Sequence, residues 1–161
     1  ISSWTDHQTK SYENSYFYIC TESYNQGEQQ SITEKVCKPM ANFMPFLFVS
    51  FPGALELLRK LGFKTFSGFI DESYDTIEDN DARVEAVVRQ LQWYCNLSEK
   101  EKIDVISAIE PIVLHNFHHF YGEFKQIITQ ELITNTKSIF KEIGYNDSTI
   151  QYNSIYQVLT A

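Results

Sequence analysis

The sequence predicts an α/β fold, in which a small parallel sheet with flanking helices is followed by a helical C-terminal part. Residues 46–49 form a continuous apolar run, which is typical of a strand that is covered on both faces. The first half also alternates strand, helix, strand, helix, strand, as in a parallel sheet with crossover helices. After Asp81 the apolar residues recur at i, i+3, i+4 and i+7, which indicates helices.

The first half is expected to hold three strands, over residues 16–20, 46–49 and 63–66. A helix over 32–42 is predicted to begin with a capping box, in which Ser31 is the N-cap and Glu34 follows three residues later. A second, short helix over 54–61 is predicted to end at Gly62, where a positive φ is favourable.

The second half is expected to be helical as far as Gly144. A helix starting at Asp81 is predicted to bury one apolar face, formed by Val84, Val87, Val88, Leu91 and Tyr94. The next helix is predicted to start with a capping box of Ser98 and Glu101, and Pro111 is expected to kink or divide it. The chain is thus interpreted as a polar lead-in or linker over 1–15, one domain over 16–145 and a tail over 146–161.

The composition suits one folded domain and argues against some classes of binding partner. A chain of 161 residues with 43% hydrophobic residues lacks the signature of disorder. Its net charge of −8 argues against binding to a nucleic-acid backbone, and no apolar stretch is long enough to span a membrane. Three cysteines without CxxC spacing predict neither a disulfide framework nor a zinc ribbon, so a cytoplasmic location is expected.

Thr33, Glu34 and Lys35 form the most informative stretch for function, and it has two interpretations. Glu34 suits a capping box, but its carboxylate could also contact a ligand. Lys35 opposes the helix dipole in the first turn, with Lys38 one turn later. Lys35 is either an exposed lysine that destabilises the helix only slightly, or a residue that binds an anion together with the free N–H groups of the helix start.

The same stretch carries a resemblance to a known family. Residues 15–23 read Ser-Tyr-Phe-Tyr-Ile-Cys-Thr-Glu-Ser, and residues 31–35 read Ser-Ile-Thr-Glu-Lys. The pattern resembles the C-terminal donor domain of α-1,3-fucosyltransferases, where a strand ending in Phe-Glu-Asn-Ser precedes Tyr-Ile-Thr-Glu-Lys at a helix start. Thr21 and Ser23 stand where the family has Phe and Asn.

The resemblance implies a Rossmann-like half of a GT-B glycosyltransferase that binds a nucleotide-diphosphate sugar. Such a half would transfer the sugar to an unknown acceptor together with an upstream domain or a partner chain, with no required metal or other cofactor. Glu22, Glu34 and Lys35 match the family's motif. The alternative is a non-catalytic interaction or structural module, of viral origin for example, that keeps the fold without the chemistry.

Two further clusters have both a structural and a functional interpretation. Residues 71–75 hold three carboxylates, which suit an acidic surface turn. They could also bind a hydroxyl-rich sugar or ribose, act as a general base or ligate a divalent cation. His115, His119 and Glu123 would share a helical stripe, which suits packed histidines or, less well, a metal. The sequence does not indicate which residues would be catalytic. The predicted donor-binding residues are Glu22, Glu34, Lys35, Lys38, Gly53, Asp71 and Glu72.

Overall fold

The computed structural model describes residues 15–22 and 32–144, and the chain divides into two compact units, 1–120 and 121–161. In the first unit, β1 (Tyr18–Thr21) and β2 (Phe46–Val49) pair in parallel, in register from Tyr18↔Phe46 to Thr21↔Val49. The predicted parallel sheet is therefore confirmed. Ser31, the tail 146–161 and the lead-in other than Ser15 lie outside the described residues.

Most of the described chain is helical, as expected for the second half. The helices of the first unit are α1 (Glu34–Ala41), α2 (Ala54–Lys60), α3 (Asn80–Cys95) and α4 (Glu99–His119), with a 3-10 turn over Glu72–Thr76. A π-helical turn (Phe120–Phe124) follows in the chain, and α5 (Lys125–Glu142) belongs to the second unit. None of these described helices is both long and apolar enough to cross a membrane.

The predicted third strand over 63–66 is wrong, and the described residues hold a sheet of two strands. Phe63 and Phe66 are buried, which accounts for the strand-like pattern. Side chains, however, satisfy the backbone there. Asn116 of α4 accepts from the Lys64 N–H and donates to the Lys64 carbonyl, both at 2.8 Å, and the Phe66 N–H donates to Glu72 Oε1 at 2.6 Å. These bonds take the place of a neighbouring strand.

Gly62 ends α2 as predicted, with φ at 92°. A Cβ at this position would lie 2.6 Å from His119 Cε1, so the site requires glycine for space as well as for conformation. His119 Nε2 lies 2.7 Å from the Leu61 carbonyl, and His115 Nε2 lies 3.0 Å from the Gly62 carbonyl. The two histidines thus fix the end of α2 onto α4.

Helix α3 buries only part of the predicted apolar face, since Val87 and Tyr94 are buried and Leu91 is half-buried. Val84 and Val88 are 39% and 43% exposed, whereas Arg83, Ala86, Val87 and Tyr94 are buried. Arg83 is tolerated inside because its guanidinium donates to the Ile77 carbonyl at 2.6 Å and to Asn80 Oδ1 at 2.9 Å. Hydrophobic spacing alone does not reveal a buried arginine.

Helix α4 confirms one expectation and corrects another. Its N-terminus carries the predicted capping box of Ser98 and Glu101. Pro111 does not divide it, because the helix is continuous from Glu99 to His119.

The first strand begins two residues later than expected, at Tyr18.

Candidate functional site

The predicted site residues gather in two places. Glu22, Glu34, Lys35 and Lys38 line an open pocket of about 290 Å³ along β1, called the edge pocket below. Asp71 and Glu72 line a second, larger pocket of about 660 Å³ together with Arg59 and Phe69, and it is called the loop pocket. Gly53 lies at the N-cap of α2. The structure therefore brings four of the seven predicted residues together.

Glu22 is a buried charged residue that lines the edge pocket, with 4% of its surface exposed. It follows β1 directly, and its N–H donates to the Val49 carbonyl at 3.0 Å. Its carboxylate accepts from the Thr33 N–H at 3.0 Å and from the Thr33 hydroxyl at 2.7–2.8 Å. Lys35 Nζ adds an ion pair of 3.2 Å to Glu22 Oε2. A carboxylate this deep is stable because it is both paired and hydrogen-bonded.

Thr33 is the N-cap of α1, so the predicted capping box of Ser31 and Glu34 is wrong. The helix begins at Glu34, and the Thr33 hydroxyl accepts from the Lys35 N–H at 3.4 Å. Thr33 has a second task, because the same hydroxyl donates to Glu22. The sequence contained the signal, a threonine directly before Glu34, but the serine two residues upstream offered an equally good cap.

Lys35 owes its place in the first turn to Glu22. The hydrogen bond from its ammonium to the Glu22 carboxylate raises the pKa of Lys35 above its usual value and offsets the unfavourable helix dipole. Two of its three donors reach Glu22 Oε2 and, at 3.3 Å, Thr33 Oγ1. The third has no partner among the described residues. With 32% of its side chain exposed, Lys35 can still contact a ligand.

Glu34 and Lys38 are the uncommitted groups of the edge pocket. Glu34 is exposed and Lys38 is half-buried, and neither charged group has a hydrogen-bond partner in the described part of the chain. Since Lys38 lies one turn after Lys35, both ammonium groups belong to one face of α1. The pocket therefore offers two cations and one free carboxylate to a ligand.

The two carboxylates of the loop pocket have structural partners. Glu72 accepts from the Phe66 N–H, from the Thr65 hydroxyl at 2.8 Å and from Arg59 Nη1 at 3.1 Å. Burial raises the pKa of Glu72 despite these bonds. Asp71 caps the 3-10 turn by accepting from the Ser73 N–H at 3.0 Å. Both residues hold the loop after α2 in shape.

The start of α2 is filled by a side chain of the protein itself. Asp75, 5% exposed, accepts from the Leu55 N–H at 3.0 Å and from the Glu56 N–H at 3.3 Å. Its backbone carbonyl accepts from the Gly53 N–H at 2.7 Å. The sequence places Asp75 in an acidic cluster but does not indicate this role, because the two contacting segments lie about twenty residues apart.

The geometry of His115 and His119 does not indicate a metal site, and the cysteines are not indicated as nucleophiles. Both histidine Nε2 atoms contact backbone carbonyls, and residues 15–22 and 32–144 contain no group of three or more side chains arranged to hold a metal. Cys20, Cys37 and Cys95 are free, and burial raises the pKa of Cys20 to about 12 and that of Cys37 to about 11. Thiols with such pKa values are poor nucleophiles.

No protein-family model matches this sequence, and neither a curated protein nor a solved structure shows significant similarity to it.

Proposed function

We propose that the edge pocket binds the diphosphate of a nucleotide-sugar donor. The chain would then be the Rossmann-like donor-binding domain of a GT-B glycosyltransferase, acting with an upstream domain or a partner chain that holds the acceptor. One observation carries this proposal: the buried Glu22 carboxylate orients Lys35 beside Lys38 where β1 ends. Ligands of open α/β sheets bind at the carboxyl ends of the strands.

The chemistry of the pocket matches this ligand. A volume of about 290 Å³ is at the lower limit for a small-molecule site, so it suits a diphosphate and its adjoining hydroxyls rather than a whole nucleotide sugar. The free donor of Lys35 and the ammonium of Lys38 would bind phosphate oxygens, and Glu34 would accept from a sugar or ribose hydroxyl. During transfer the lysines would stabilise the leaving diphosphate electrostatically.

The proposal extends to the setting of the reaction. A cytoplasmic location is proposed because the three cysteines are free, which suits a reducing compartment. The binding partner is a nucleotide-diphosphate sugar rather than a nucleic acid, in keeping with the net charge of −8.

Lys38→Ala is the sharpest test, because Lys38 has no hydrogen-bond partner among the described residues. UDP-, GDP- and TDP-sugars at millimolar concentration should be screened for a rise in Tm, since a ligand that binds the native state stabilises it. With the sugar nucleotide that raises Tm, Lys38→Ala should weaken binding by about tenfold, because a charge-assisted hydrogen bond is lost. Its Tm without ligand should stay near the wild-type value.

Lys100→Ala is the matched control, since it removes an exposed lysine from α4 rather than from the edge pocket. It should bind the sugar nucleotide like the wild type. If none of the sugar nucleotides raises the Tm of the wild-type chain, the donor-binding proposal is wrong. The non-catalytic module is then favoured, for which the specific observation is that Glu22, Glu72 and Asp75 all have partners within the protein.

A further inference from the structure

Ser50 has a buried hydroxyl with no evident role in the fold. It follows β2 directly and is 1% exposed, and its Oγ has no hydrogen-bond partner among the described residues. Leaving a buried polar group unpaired is unfavourable, and nearly all such groups in native proteins have a partner. An unpaired hydroxyl therefore needs an explanation.

Several other buried polar side chains among the described residues are satisfied. Asp75 accepts from two backbone N–H groups, and Asn116 both accepts from and donates to Lys64. Thr129, in the second unit, donates to the Lys125 carbonyl at 2.8 Å. Ser50 departs from this pattern, as does the hydroxyl of Tyr94 in α3. Ser50 differs from Tyr94 in its position at the carboxyl end of a parallel strand, which is where ligands of such sheets bind.

The strand register relates Ser50 to Glu22. The bond from the Glu22 N–H to the Val49 carbonyl continues the ladder one step past the last pair, Thr21↔Val49, so Ser50 is the residue opposite Glu22. Side chains alternate along a strand, so Glu22 shares the face of Cys20, and Ser50 shares the face of Phe48. Cys20 and Phe48 are paired residues. Ser50 and Glu22 therefore belong to the same face and the same edge of the sheet.

We infer that the Ser50 hydroxyl is a ligand contact of the edge pocket, where it donates to an oxygen of the bound diphosphate. The inference rests on the proposed function. The hydroxyl supplies a neutral donor on the sheet face that carries Glu22, the ion-pair partner of Lys35. A phosphate oxygen is the acceptor that the cations Lys35 and Lys38 attract. Because Ser50 is 1% exposed and is not among the residues that line the edge pocket, the ligand must displace neighbouring side chains to reach its hydroxyl, and association is slower than the diffusion limit.

Ser50→Ala distinguishes a binding role from a structural one. Removing an unpaired buried hydroxyl should raise the Tm of the unliganded 161-residue chain, by about 2–4 °C. The same change should weaken binding of inorganic pyrophosphate, and of the sugar nucleotide that raises the wild-type Tm, by about tenfold in calorimetric titration. A gain in stability with a loss of affinity is the signature of a residue kept for its ligand.

Two further variants complete the experiment. Ser50→Cys keeps a weak donor of similar size and should bind with intermediate affinity. Ser67→Ala removes an exposed hydroxyl that lines the loop pocket and should change neither Tm nor affinity.

The outcomes separate this inference from the proposed function. Unchanged affinity of Ser50→Ala for a ligand that the wild type binds overturns the inference and leaves the proposed function standing. Pyrophosphate binding that depends on Ser50, without binding of any sugar nucleotide, supports the inference and overturns the proposed donor. A wild-type chain that binds neither ligand overturns both.

Discussion

The two strand-to-helix junctions of the sheet handle negative charge in opposite ways. After β2, the start of α2 is occupied by the buried carboxylate of Asp75, which accepts from Leu55 and Glu56. After β1, the start of α1 is capped by the neutral hydroxyl of Thr33, and the nearby carboxylate of Glu22 is engaged by Thr33 and Lys35. One helix start is closed by the protein, and the other is bordered by two lysines.

This difference shows that a helix start can serve either an internal contact or a ligand pocket. A helix start attracts anions through its free N–H groups, and a protein can satisfy them with its own carboxylate or leave them near a ligand pocket. At α2 a phosphate would meet the charge of Asp75, so that junction is a structural link between the 3-10 turn and the helix. At α1 the charge of Glu22 is balanced by Lys35.

The largest expected effect follows from removing the carboxylate that closes the α2 junction. Asp75→Ala should lower the free energy of unfolding by about 2–3 kcal/mol, because two backbone N–H groups lose a charged acceptor in a buried position. Urea unfolding measures the loss. Affinity for the sugar nucleotide should not change, since Asp75 caps α2 and does not line the edge pocket.

Asp71→Ala is the matched control for Asp75. Asp71 also caps a turn, but it is exposed and accepts from one N–H, so its removal should lower the free energy of unfolding much less than the removal of Asp75. Equal losses for the two variants, or weakened sugar-nucleotide binding by Asp75→Ala, would contradict the distinction between a closed and an open junction.

Glu22→Gln should affect both stability and binding. The amide cannot replace a carboxylate that accepts from the Thr33 N–H, the Thr33 hydroxyl and Lys35, so the free energy of unfolding should fall by about 1–2 kcal/mol. Affinity for the sugar nucleotide should fall as well, because Lys35 loses the partner that positions it. Chemical denaturation and calorimetry measure the two effects. A loss of stability with full affinity would make Glu22 purely structural.

The same variant has a defined pH dependence. Glu22 raises the pKa of Lys35 in the folded protein above 10.5, so the protonated lysine stabilises the fold at all pH values below the unfolded pKa. That contribution is lost as the pH rises through the folded pKa. The stability difference between wild type and Glu22→Gln should therefore be constant around neutral pH and shrink above pH 10.5. A difference that grows in that range would assign the effect to another group.

Local patterns predicted most of the elements in this chain. The apolar run of β2, the glycine that ends α2 and the capping box of α4 all appear where expected, because each depends on residues that are close in sequence. The third strand was wrong because Asn116 and Glu72 satisfy the backbone of residues 64–66. Asn116 lies 52 residues from Lys64, which no local pattern records.

The grouping of four candidate site residues in space was predictable to a similar degree. The edge pocket is lined by Glu22, Glu34, Lys35 and Lys38. Their proximity could be expected because the end of a strand and the start of the next helix are both recognisable in the sequence. The different roles of these residues could not be predicted, since they depend on which of the two carboxylates is buried. Composition does not distinguish Glu22, which is 4% exposed, from Glu34, which is exposed.

The smallest expected effect concerns Glu34, which tests whether the open junction uses a carboxylate at all. Glu34→Gln should change the free energy of unfolding by only about 0.5 kcal/mol, because the residue is exposed and caps nothing. Affinity for the sugar nucleotide should fall by about 1 kcal/mol, because the charge-assisted bond to a hydroxyl becomes a neutral one.

Comparison of ligands then locates the contact of Glu34. If the carboxylate accepts from the sugar, Glu34→Gln should weaken the sugar nucleotide more than the bare nucleotide diphosphate in calorimetric titration. If it accepts from the ribose, both should weaken equally. Glu110→Gln, an exposed glutamate on α4, should alter neither affinity. Unchanged affinity of Glu34→Gln for both ligands would assign Glu34 to the helix dipole alone, and the two lysines would then be the recognition elements of the α1 junction.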